Sequence, residues 1–129
     1  MPDQDDVRTL ALRLPSVIER SDRFAFAVEN KGKLKDLAWV WAERVDAGKA
    51  RLPNPGVLAV RVHGEEEKQL LIGAQPEVFF TEPHYNGFPA VLVRLDVISI
   101  EQLEDLLANA WRIQAPKSLV REHAGRINA

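Results

Sequence analysis

Apolar and polar residues alternate with two different periods along the 129-residue chain. Val7, Leu10, Ala11 and Leu14 recur at i, i+3, i+4 and i+7, which predicts an amphipathic helix over 4–14. Asp3, Asp5 and Asp6 suit the positive end of its dipole, and Pro15 disfavours helical geometry at Leu14. FAFAVE (24–29) reads as a strand, NKGK (30–33) as a turn with Gly32 free to take positive φ, and LAWVWAERV (37–45) as the return strand. Strict alternation puts Leu37, Trp39 and Trp41 on one side of that strand and Ala38, Val40 and Ala42 on the other. DAGKARLPNPG (46–56), with two prolines and two glycines, predicts a loop, and VLAVRV (57–62) a third strand. EEEKQLLI (65–72) reads as a short helix closed by Gly73. VFFT (78–81) fits either a short strand or an extended entry into the next turn, and AVLVRLD (90–96) is a strand. Ser99 and Gln102 form a capping box, with Ile98 and Leu103 as its hydrophobic staple. Ile100, Leu103, Leu106, Leu107, Ala110 and Trp111 then make one continuous apolar stripe on the last long helix. Pro116 interrupts it, and 117–127 add a further helical turn or two.

This order predicts an α+β fold with an antiparallel sheet and helices on one face. No repeat, low-complexity tract or composition break divides residues 1–129, so they read as one domain. There is no cysteine, which excludes disulfides, thiolate metal sites and thiol nucleophiles and fits a cytoplasmic setting. The acidic, amphipathic start is unlike a signal or transit peptide, and the apolar runs are too short to span a membrane.

His84, inside PHYNGFP (83–89), is the first candidate for chemistry. No nucleophile and orienting partner can be assembled around it, and two prolines, an Asn-Gly pair and two aromatics describe a rigid corner in which the imidazole props up backbone groups. The histidines His63, His84 and His123 lack metal-ligand spacing, and the carboxylates at 3–6 and 65–67 are accounted for as helix N-terminal charges. No phosphate-binding glycine loop occurs. We therefore expect no enzyme activity, no cofactor and no metal. Trp39, Trp41 and Trp111 read as core rather than as stacking platforms.

Charge changes the picture more. The formal net charge is −2, yet residues 31–61 carry seven bases against three acids and 111–129 carry four against one. The acids gather at 3–6, 65–67 and 101–105. If the basic hairpin and loop fold beside the basic tail, they pool positive potential on one side.

PHYNGFPAVLVRL (83–95) and AWRIQAPKSLV (110–120), with NKGK, WAERVD, PNPGVLAVRV and PEVFFTEPHY before them, resemble the MmcQ/YjbR family of small bacterial proteins over nearly the whole chain. The resemblance implies a frataxin-like fold, a curved antiparallel sheet flanked by N- and C-terminal helices. It also implies a DNA-binding role based on a double-wing arrangement. The family's recurring positions fall here on His84, Tyr85, Gly87, Arg94, Trp111, Pro116 and Lys117.

Three functions follow as expectations. The first is a DNA- or polyanion-binding module using Lys31, Lys33, Lys35, Lys49, Arg51, Arg112, Lys117 and Arg121. The second is a small-ligand or protein-partner module with a pocket near His84, Tyr85, Arg94 and Trp111. The third is a frataxin-like metal handler relying on Asp3, Asp5 and Asp6.

Overall fold

The computed structural model describes residues 2–43 and 52–123. Six strands form one open antiparallel sheet in the order β1-β2-β3-β4-β6-β5. They are β1 (Val17–Glu19), β2 (Ala25–Asn30), β3 (Lys33–Glu43), β4 (Leu52–Arg61), β5 (Phe79–Phe80) and β6 (Ala90–Arg94). The helices among the described residues are α1 (Gln4–Leu12), α2 (Glu65–Ala74), α3 (Ile100–Gln114) and α4 (Lys117–Glu122). This is the α+β architecture expected from the sequence. Both edge strands are short, three residues in β1 and two in β5, which leaves little open backbone for another chain to extend.

α1 and α3 cover one face of the sheet. Val7 and Ala11 of α1, with Leu103, Leu107, Ala110 and Trp111 of α3, share one core with Phe26, Val28, Leu58, Val60, Val91 and Val93. Trp111 is fully buried and donates its indole N–H to the Pro15 carbonyl at 2.9 Å, which ties α3 to the end of α1. Asp3 and Asp6 cap α1 reciprocally, each side chain accepting from the other's backbone N–H at 3.0 Å. Ser99 caps α3 by accepting from the Gln102 N–H at 3.1 Å. The return half of that predicted box does not form, because the Gln102 amide bonds Gln75, just past α2, instead.

Three expectations change in the sheet. A β-bulge sets Ala27 opposite Asp36 but Phe26 opposite Ala38, so Leu37 has no cross-strand partner. Leu37 and Ala38 both join the helix-side core, while Trp39 and Trp41 lie on the other face, against the alternation that grouped Leu37 with them. Residues 52–56, expected in a loop, begin β4 despite Pro53 and Pro55. Leu52, Pro53 and Asn54 pair with β3 but not with β6, whose ladder stops at Val57, and proline is tolerated where one side of a strand is free. Asn54 accepts from the Gly56 N–H at 3.0 Å and so braces the irregular register there. Gly73 sits inside α2, which ends at Ala74 with Gln75 as its C-cap.

The face without α1 and α3 carries a second, smaller core. Trp41, Val57, Ala59 and Leu92 are buried there, with Trp39, Phe80 and Tyr85 packed on them. The corner 83–89, a 3-10 turn at Pro83–Tyr85 followed by Gly87 at φ 78°, folds over this cluster. No described helix is long and apolar enough to cross a membrane.

Candidate functional site

Four residues, Asn30 to Lys33, build one wall of the candidate site. Asn30 pairs with Lys33 across a two-residue turn in which Lys31 (φ 55°) and Gly32 (φ 81°) are both left-handed. That is the geometry that suits a tight hairpin, and it presents Lys31 at the tip. Lys33 and Lys35 stand opposite Asn30 and Val28, hence on the helix-covered side of the sheet.

The other wall is the end of α3. Pro116 forces Ala115 out of the helical region (ψ 155°), and the chain restarts as α4. The two walls are fastened together through the buried Gln114. Its amide donates to the Asp36 carbonyl at 2.8 Å, and its own carbonyl accepts from the Asn30 amide at 3.0 Å. These bonds join positions 84 and 78 residues apart, and they set Lys31 beside Arg112 and Lys117.

Between the walls lies a groove of about 570 Å³ lined by Asn30, Lys31, Arg112, Ile113, Ala115, Pro116, Lys117 and Ser118. Among the described residues no carboxylate lines it. Among the described residues, none of Lys31, Lys33, Lys35, Arg112, Lys117 or Arg121 lies in a salt bridge. The contrast with Arg8, Arg20 and Arg23 is direct, because each of those is paired with an acid. Arg112 Nη1 is buried and has no hydrogen-bond partner. Arg121 follows Lys117 by one turn of α4 and extends the same cationic face. Of the predicted basic residues, Lys31, Arg112 and Lys117 line one groove, whereas Lys33, Lys35 and Arg121 are not among its lining residues. Lys49 and Arg51 lie outside the described residues.

The second predicted pocket does not form. Trp111 is buried in the helix-side core, whereas Tyr85 and Arg94 belong to the opposite face of the sheet. The Trp39 indole N–H donates to the Tyr85 hydroxyl at 3.0 Å, and Trp39, Tyr85 and Phe88 meet edge to face. Arg94 covers the Phe80 ring with its guanidinium carbon 4.1 Å from the ring centre and donates to the Pro76 carbonyl at 3.2 Å. Lys68, fully buried on α2, donates to the carbonyls of Tyr85 and Phe88. Desolvation holds its ammonium below the usual lysine range. The His84 side chain is 64% exposed, with Nδ1 4.0 Å from a Glu82 carboxylate oxygen. Sequence reasoning missed Lys68 as the fastener of this corner, because nothing in EEEKQLLI distinguishes an inward lysine from a solvated one.

The acidic ridge is committed elsewhere. Asp3 and Asp6 are spent on the helix cap and Asp5 pairs with Arg8 at 3.1 Å. Among the described residues no group of three His, Asp or Glu is placed to hold a metal ion.

No family model matches the chain. The uncharacterized proteins Rv2570 of Mycobacterium tuberculosis and Mb2600 of Mycobacterium bovis are 49% identical to it over 69 residues, 54% of this chain and 54% of theirs. The match therefore spans about half the length of these curated relatives. The crystal structure of Deinococcus radiodurans protein DR2400, which carries the domain of unknown function DUF419, is similar over 96% of this chain and 89% of its own, with a TM-score of 0.69 and 23% identity. Likeness at that identity establishes a shared α+β fold with a bacterial protein, and the site chemistry rests on the residues above.

Proposed function

We propose that this chain is a non-catalytic binding module for a phosphate-bearing polyanion, with DNA the partner suggested by its resemblance to the MmcQ/YjbR type. One observation carries the reading. Cations from the β2–β3 turn, the end of α3 and α4 converge on a single groove that no described carboxylate lines, whereas Arg8, Arg20 and Arg23 are each paired with an acid. Unpaired surface cations keep their hydration and counterions until an anion displaces them, which is the source of salt-dependent binding. With a net charge of −2, such attraction has to come from a local cluster of cations rather than from the protein's total charge.

Anisotropy of a labelled DNA duplex, titrated with the protein across a salt series, tests the reading. Neutralising about four phosphates gives a slope of log K against log salt near about −3.6. Absence of binding at low salt, or binding indifferent to salt, rejects it.

A further inference from the structure

We infer that the groove between the β2–β3 turn and the α3–α4 junction seats one phosphate monoester, the end group of a phosphorylated chain or of a small molecule, rather than tracking a phosphodiester backbone. The inference rests on the reading above in taking this groove for the anion site. Its volume, about 570 Å³, falls within the range of small-molecule pockets, roughly 300–1,000 Å³. Three cations from separate segments, Lys31, Arg112 and Lys117, surround this one concavity, and Ser118 adds a hydroxyl. A phosphate monoester carries about −1.5 to −2 charges at neutral pH, against about −1 for a diester, so the concentration of positive charge matches the monoester.

Arg112 supplies an independent pointer. Arg112 lines this groove and one of its guanidinium nitrogens, Nη1, is buried without a hydrogen-bond partner, so the fold does not saturate this cation. The carboxylates of Asp105 and Glu29 line neighbouring grooves that share Arg112 and Lys31, so an anion is favoured only on this side of each cation. The rest of the described lining, Asn30, Ile113, Ala115 and Pro116, offers no aromatic ring on which a base could stack. Recognition therefore ends at the phosphate and does not read a base.

The test is calorimetric titration of the full chain with phenyl phosphate, with methyl phenyl phosphate, and with a short single-stranded oligonucleotide made with and without a 5′-phosphate. Phenyl phosphate should bind at least about tenfold more tightly than its methyl diester, and the 5′-phosphate should tighten the oligonucleotide by a similar factor. Lys117→Gln and Lys31→Asn, both at exposed positions, should erase these preferences while the melting temperature stays put. Equal affinity for monoester and diester, or for the two oligonucleotides, overturns the inference and leaves the polyanion reading standing. If phenyl phosphate binds and neither oligonucleotide does, the seat belongs to a free phosphate ester and the polyanion reading falls. If nothing binds at low salt, both fall.

Discussion

The corner at 83–89 and the groove at 30–33 and 112–118 are built on opposite principles. In the corner nearly every polar group is consumed locally. Trp39 is bonded to Tyr85, Lys68 holds two carbonyls, and Arg94 is spent on Phe80 and Pro76. In the groove Lys31, Arg112 and Lys117 stand in one concavity without a counter-charge. A histidine and a cluster of aromatic rings draw attention to the corner, yet their arrangement accounts for a closed sheet face rather than for a ligand. The comparison shows that unspent charge is a better guide to a binding surface than chemically versatile side chains.

The largest expected effect separates the two regions most sharply. Trp41 is 9% exposed and meets Phe80 edge to face with ring centres 5.6 Å apart. Trp41→Ala should cost about 3–5 kcal/mol in urea unfolding. Trp41→Phe should cost far less, because the indole Nε1 has no hydrogen-bond partner to lose. Anion affinity, measured where the variants are still folded, should not change. A fall in affinity that tracks the loss of stability would merge the two regions and break the comparison.

Lys68→Met comes next, at about 1–3 kcal/mol, the cost of leaving carbonyls unpaired. The amides of Asn86 and Phe88, bonded to Pro83 and Tyr85, should then exchange faster with solvent. The variant should also alter the pH profile in a defined direction. The lysine pKa is lowered on folding, so the unfolded chain binds more protons between that lowered value and about 10.4. Stability contributed through Lys68 therefore rises with pH in that window. Thermal unfolding at several alkaline pH values should show the rise in the wild type and a weaker one in Lys68→Met.

α3 was legible because every signal for it is local: cap, staple, apolar stripe and terminating proline all lie between Ile98 and Pro116. The early hairpin was legible for the same reason, down to the positive φ of Gly32. Leu37 and the start of β4 were not, since a bulge depends on what the partner strand does, and the tolerance of Pro53 depends on where β6 stops. The groove was legible by halves. Its basic segments show in the sequence, but their adjacency is decided by Gln114, a residue that looks like any exposed helix-end glutamine until it is found buried between Asp36 and Asn30.

Gln114 therefore gives the next test. Gln114→Leu removes the bond to the Asp36 carbonyl and leaves that acceptor unpaired, while Asn30 can still reach the backbone at 114. A loss of about 1–3 kcal/mol in urea unfolding is expected. Unlike the corner variants, this one should also weaken anion binding, although no cation has been touched. Unchanged affinity would mean that the two walls hold their spacing without the clamp.

The smallest effect on stability belongs to the groove's own cations. Lys31 occupies a left-handed conformation that asparagine adopts more readily, and neither Lys31 nor Lys117 has an ionic partner to lose. Lys31→Asn and Lys117→Gln should each change unfolding free energy by no more than about 0.5 kcal/mol, with Lys31→Asn neutral or slightly favourable. Each should nevertheless weaken anion binding and flatten its dependence on salt. This pairing of negligible structural cost with a measurable change in binding is the inverse of Trp41→Ala. It follows from the physical difference between the regions: a charge held in reserve contributes nothing to the fold, so its removal is felt only when the anion arrives. Destabilisation of a kilocalorie or more by either substitution would show that the cation was already employed within the fold, and the groove would then resemble the corner after all.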